Sequence, residues 1–207
     1  MKNSLMIFLV AFFGCTNNDS KNLIRQKESI EIIKTIIEEK GIELTRSFPN
    51  KQVHPICLNL KKVIVNSKCF DNTKVNNEVK TVKLPDRSFT SNGEVCLEKI
   101  YKSRPIRNFF FLTKDSVDVM NQNNAIKAFK ITKNITKNFK TVESSKELSV
   151  AEKYIQFSIP IFSKDNTKAY LEYDFHTDNY DSFGKSIYLE KVNGKWKIKF
   201  IEKNWNT

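Results

Sequence analysis

A chain of 207 residues, 40% of them hydrophobic and 16 of them Phe, can bury the core of one ordinary domain and is too short to expect several. Five Gly and five Pro exclude collagenous, Pro-rich and linker-array architectures, and no internal repeat is found. The formal charge of +12 invites an acidic partner, but 30 of the 35 basic residues are Lys scattered along the chain. Arg is the better fork for phosphates and base edges, so nucleic acid is not expected.

The chain opens Met1-Lys2-Asn3-Ser4 and then runs from Leu5 to Phe13 without a charge. A membrane span needs about 20 apolar residues. This stretch instead has the length of a secretory apolar region, roughly 7–15 residues behind a basic start. It ends in Gly14-Cys15 and turns polar at once, with TNNDSKN over 16 to 22. The junction resembles the lipobox of bacterial lipoproteins, with Phe12 and Phe13 standing where that family favours an aliphatic and then a small residue. The resemblance implies a leader, 1–14, removed by signal peptidase II, a lipid carried on Cys15, and a polar tether over 15–22 ahead of one globular domain, 23–207. Two or three acyl chains hold a protein on a membrane where one does so only marginally, so the membrane is the first expected partner. Thr16 is not the Asp that retains enterobacterial lipoproteins at the inner membrane, which implies the outer membrane, on its periplasmic or its surface face. There, an anionic glycan, lipopolysaccharide phosphates or a protein would suit the basic charge.

Besides Cys15 the cysteines are Cys57, Cys69 and Cys96. An exported chain meets an oxidising compartment, three pairings are open, and one disulfide with one buried thiol is the expectation. His54-Pro-Ile-Cys57 with Cys69 and Cys96 lacks the tight C-x2-C clips of structural zinc sites, so no metal is expected from that set.

Residues 23 to 40 place Ile30, Ile33 and Ile37 at helical spacing, with Ile32 and Ile36 beside them and Gly41 where a capping glycine belongs. Residues 53 to 112 alternate β-like runs, CLNLKKVIV and EVCLEKIY, with turn formers, ending in NFFFL at 108 to 112. A helix is expected from Thr113 or Ser116 onward. The segment 125 to 140 sorts on a helical wheel into an apolar side, Ala128, Ile131, Ile135 and Phe139, and a Lys side, Lys127, Lys130, Lys133, Lys137 and Lys140. Its Thr, Asn and β-branched content opposes a helix. A basic helix on an anionic membrane surface is one reading, and a solvated Lys face over a packed core is the preferred one.

Tyr154 to Phe162 and Lys168 to His176 read as strands, the second with Ala169, Leu171, Tyr173 and Phe175 on one face. Asn193-Gly194 is the preferred two-residue turn of a hairpin. Counting outward from it pairs Lys191 with Trp196, Glu190 with Lys197, Leu189 with Ile198, and Ile187 with Phe200. The expected fold is therefore α+β. An N-terminal amphipathic helix and one or two further helices pack on a mainly antiparallel sheet that closes with this hairpin. FSIPIFSKDNTKAYLEY followed by SIYLEKVNGKWKI resembles the C-terminal pattern of uncharacterised Bacteroidetes lipoproteins, over about residues 154 to 203. That resemblance implies the compartment and the sheet and carries no activity. Where those proteins have a Cys-Gly-rich turn this chain has HTDNYDSFG.

The five glycines cannot form G-x-S-x-G, G-x-G-x-x-G or a P-loop, and His54 and His176 cannot form H-E-x-x-H. One cluster remains. Alternation puts Asp174, His176 and Asp178 on one strand face with Asp181 nearby, where carboxylates could raise a histidine pKa or share a metal. The competing reading is a wet polar edge opposite the apolar face. No Ser or Cys nucleophile can be assigned to it, and no cofactor is expected. The leading expectation is a non-catalytic envelope lipoprotein that binds a protein or glycan. An envelope immunity or inhibitor protein is the alternative, and a hydrolase or metal-dependent enzyme using Asp174, His176 and Asp178 is the second.

Overall fold

The computed structural model describes residues 16–45, 54–67, 94–101, 110–122, 124, 129–136, 139–144, 148, 153–176 and 183–206. The first element, α1, spans Thr16–Thr45. It buries Ile32, Ile33, Ile36 and Ile37 and half-buries Ile30, the stripe read from the sequence. It also starts ahead of that stripe, so residues 16–22, expected as a tether, are helical, and it passes through Gly41, expected to cap it. A glycine inside a helix costs about 1 kcal/mol relative to Ala, which is small beside the burial of four isoleucines at about 1.5–3 kcal/mol each.

The sheet has seven strands: β1 Ile56–Lys61, β4 Thr141–Val142, β5 Tyr154–Ser158, β6 Ile161–Phe162, β7 Lys168–His176, β8 Phe183–Val192 and β9 Lys195–Asn206. Their order is β4-β1-β5-β7-β8-β9, with β6 also on β7. Strand β1 is parallel to β4 and β5, and the other pairs are antiparallel. The α+β expectation therefore holds, mainly antiparallel sheet and closing hairpin included.

Between β1 and β4 lie β2 Ile64–Asn66 and β3 Glu94–Cys96, a parallel pair of their own, then α2 Leu97–Tyr101 and α3 Ser116–Asn121 behind a 3-10 turn at Thr113–Asp115. The run EVCLEKIY, read as one strand, thus divides at Cys96. In NFFFL, Phe110 and Phe111 form a bend rather than a strand, with both rings buried edge-to-face.

These smaller elements cover the sheet face opposite α1. One core lies under α1 and includes Ile155, Phe157, Leu171, Tyr173, Phe175, Ile187 and Leu189. The other holds Val63, Val65, Val95, Ile100, Phe111 and Val119 against Tyr170 and Tyr188. Consequently β7 is buried on both sides, every residue from Ala169 to Phe175. The wet polar edge expected there is a buried layer, because alternation along a strand says which residues share a face but not what covers that face.

Of the segment expected as a basic helix, the described residues 129–136, 139 and 140 form no α-helix. Phe129 O accepts from Leu60 N at 2.9 Å, Ile131 N donates to Leu58 O at 3.0 Å, and a single 3-10 turn occupies Lys133–Ile135. Ile131 and Ile135 are nevertheless buried and Phe139 half-buried while Lys130, Lys133 and Lys140 are exposed, so these residues keep the expected sidedness without the helix; Lys127, Ala128 and Lys137 lie outside the described residues. Weak helix propensity yields here to backbone bonds offered by β1.

In the hairpin, Lys191 faces Trp196, Glu190 faces Lys197 and Leu189 faces Ile198, as counted from the turn. Beyond Leu189 the register shifts, so Tyr188 faces Phe200 and Ile187 faces Ile201. One extra residue, Lys199, forms a bulge. It turns Phe200 onto the second core and Ile201 onto the first.

Candidate functional site

Strand β7 sends Tyr170, Glu172, Asp174 and His176 to the face away from α1, since side chains two apart share a side. The Tyr170 hydroxyl donates to Glu172 Oε1 at 2.6 Å and lies 2.9 Å from Ser186 Oγ on β8. Ser158 Oγ accepts from the Glu172 backbone N–H at 2.8 Å, and Lys99 Nζ from α2 stands 3.9 Å from Glu172 Oε1. One step along, Lys61 Nζ from β1 meets Asp174 Oδ2 at 2.7 Å. His176 stacks on Tyr154, ring centroids 4.6 Å apart, and places Nε2 3.9 Å from Asp174 Oδ2. Asp174 Oδ1 and His176 Nε2 are buried and make no hydrogen bond among the described residues.

Burial sets the electrostatics. It raises the Glu172 carboxyl above its ordinary pKa, against the pull of Lys99 and the Tyr170 hydrogen bond. It pushes Tyr170 well up, with Glu172 adding to the shift, and Tyr188 up as well. It lowers His176, which Asp174 opposes and Lys61 reinforces. The layer thus holds a carboxyl whose pKa burial raises, Glu172, two residues along β7 from Asp174, which pairs with Lys61.

Of the residues read from the sequence, the structure brings Asp174 and His176 together. Asp178 and Asp181 lie outside the described residues. Among the described residues, no three His, Cys, Asp or Glu side chains are grouped to hold a metal ion. Sequence reasoning missed Glu172, although the same alternation pointed to it, and it missed Lys61 and Lys99, for which no local signal exists. Cys15 and Cys69 also lie outside the described residues. Cys96 is disulfide-bonded, while Cys57 is buried, with its Sγ 3.8 Å from Gln156 Nε2.

With that geometry in place, the comparisons add no relative: no protein-family model, curated protein or solved structure matches the chain.

Proposed function

We propose that this is a bacterial envelope lipoprotein, anchored at the outer membrane through Cys15, whose single α+β domain binds a protein or an anionic glycan without performing chemistry. The observation that carries the anchor is the uncharged run Leu5 to Phe13 behind Lys2, ending in Gly14-Cys15. The disulfide at Cys96 supports an oxidising compartment. Binding is favoured over catalysis by the engagement of the polar layer: Asp174 holds Lys61, and Glu172 holds the Tyr170 hydroxyl, inside the fold. Metabolic labelling with palmitate and the mass of the N-terminal peptide test the anchor. A chain beginning at a diacylglyceryl-modified Cys15 is expected, with Cys15→Ala neither cleaved nor labelled. Retention of Met1 with a free thiol at position 15 would overturn it. Crosslinking in native cells tests the binding role, with one dominant captured protein or glycan expected and no capture counting against it.

A second reading, a hydrolase or metal-dependent enzyme, is favoured by one observation, the 3.9 Å approach of His176 Nε2 to Asp174 Oδ2. Under it His176→Ala abolishes metal binding or turnover, and an unaffected variant retires it.

A further inference from the structure

Among the described residues, the large hydrophobic side chains left exposed are Leu23, Ile24, Ile64, Leu112, Val117 and Val192. All but Ile64 lie at one end of the molecule, and the bonds around Arg25 and Glu28 show it. Leu23 and Ile24 precede Arg25, whose guanidinium pairs with Asp118 and donates to Asn166 Oδ1 at 3.3 Å. Val117 adjoins Asp118. The Leu112 N–H donates to Asp115 Oδ2 at 3.1 Å, and Asp115 Oδ1 accepts from Lys164 N at 3.2 Å. One turn along α1, Glu28 accepts from Lys191 Nζ at 2.7 Å and from Trp196 Nε1 at 2.6 Å, and Val192 follows Lys191. Lys191 N in turn donates to Thr167 O at 2.7 Å. The start of α1, the 3-10 turn with α3, the 163–167 turn and the hairpin turn therefore form one end of the domain, and it presents Leu23 and Val117 each 66% exposed.

The same end is basic. Lys21, Lys114, Lys164 and Lys195 are exposed there, against the exposed Asp165, which is engaged by Ser163 and Thr167. Exposed apolar residues and exposed lysines on the same end suit a surface of anionic headgroups over hydrocarbon. The chain also leads to that surface. Helix α1 begins at Thr16, next to Cys15, and Thr16 to Leu23 spans about 10 Å at 1.5 Å per residue. A headgroup layer is roughly 5–8 Å deep on each side of a bilayer.

We infer that this end of the domain docks on the anionic lipid surface, so that the body is held against the bilayer rather than suspended from it. The inference rests on the proposed anchor at Cys15, and its test separates the two. The full chain, carrying a photo-reactive benzophenone amino acid at Val117, at Val192 or at Lys203, is photolysed in native membranes containing phosphate-labelled lipid. Lys203 is exposed and lies eight positions along β9 from Lys195, about 27 Å away. Lipid adducts at Val117 and Val192 at least five-fold above Lys203 are expected. Lys114→Glu with Lys164→Glu and Lys195→Glu should lower them several-fold.

Equal adducts at all three positions, or none, overturn the inference, and a protein adduct at Val117 and Val192 overturns it in favour of a protein partner on this end. The mass of the N-terminal peptide is read from the same sample. Lipidated Cys15 without adducts leaves the anchor standing and removes the docking face. An unmodified Cys15 with adducts on phosphatidylethanolamine–phosphatidylglycerol vesicles upholds the face and removes the anchor.

Discussion

Asp174 is 2% exposed at its side chain and its counter-charge comes from Lys61, 113 positions away in sequence. Removing one partner of a buried pair leaves an uncompensated charge, so Lys61→Met should cost about 3–5 kcal/mol in a urea titration, and adding Asp174→Asn should recover part of it. The titrations of neighbouring groups have opposite signs. Burial lowers His54 and His176 below their usual 6.5, so the unfolded chain takes up protons first. Stability should therefore fall as pH drops through 6.5 toward the folded values, and His176→Gln should flatten that fall. Glu172 is raised above its usual 4.5, so the folded state holds its proton longer. Stability is then lost as pH rises above 4.5, and the gain from Glu172→Gln in thermal melts should grow between pH 4 and 8. Alternation along β7 made Asp174 and His176 legible as face-mates. Nothing near them in sequence announced Lys61 or Lys99, because those contacts exist only once β1 and α2 lie beside β7.

Elements were legible where local chemistry and tertiary packing agree. Asn193 and Gly194 both have positive φ, 50° and 77°, which is the type I′ turn their identities imply. A Cβ on Gly194 would meet nothing within 4 Å. Gly194→Ala should therefore cost about 1–2 kcal/mol from backbone strain alone, measured by denaturant unfolding without change in the sheet's circular dichroism. The isoleucine stripe of α1 was equally clear, since a 3.6-residue period needs no knowledge of the partner surface. The bulge at Lys199 was not: alternation in Trp196, Ile198, Phe200 looks regular, and only the presence of apolar layers on both faces makes the switch favourable.

For the molecule as a whole, β7 and β8 are the shared wall of two cores. Truncation on either side should weaken the same structure. Ile36→Ala, under α1, should cost about 2–5 kcal/mol and Phe111→Ala, on the other face, about 3–5 kcal/mol. Both should lower a single transition observed together by fluorescence and circular dichroism, as a cooperative domain requires. Two separate transitions would mean that the layers unfold independently.

What the sequence determined by itself is what local periodicity and turn chemistry can encode. That covers the α+β class, the buried stripe of α1, the hairpin turn with the three pairs counted from it, and the sidedness of Lys130, Ile131, Lys133 and Ile135 although they form no α-helix. Tertiary structure alone decided that the polar side of β7 is interior, that Glu172 and Asp174 meet Lys99 and Lys61, and that, among the described residues, all the exposed large apolar side chains but Ile64 gather at the end where α1 begins. Those outcomes depend on contacts between segments far apart in the chain, and a one-dimensional pattern fixes which way a side chain points without fixing what will be placed against it.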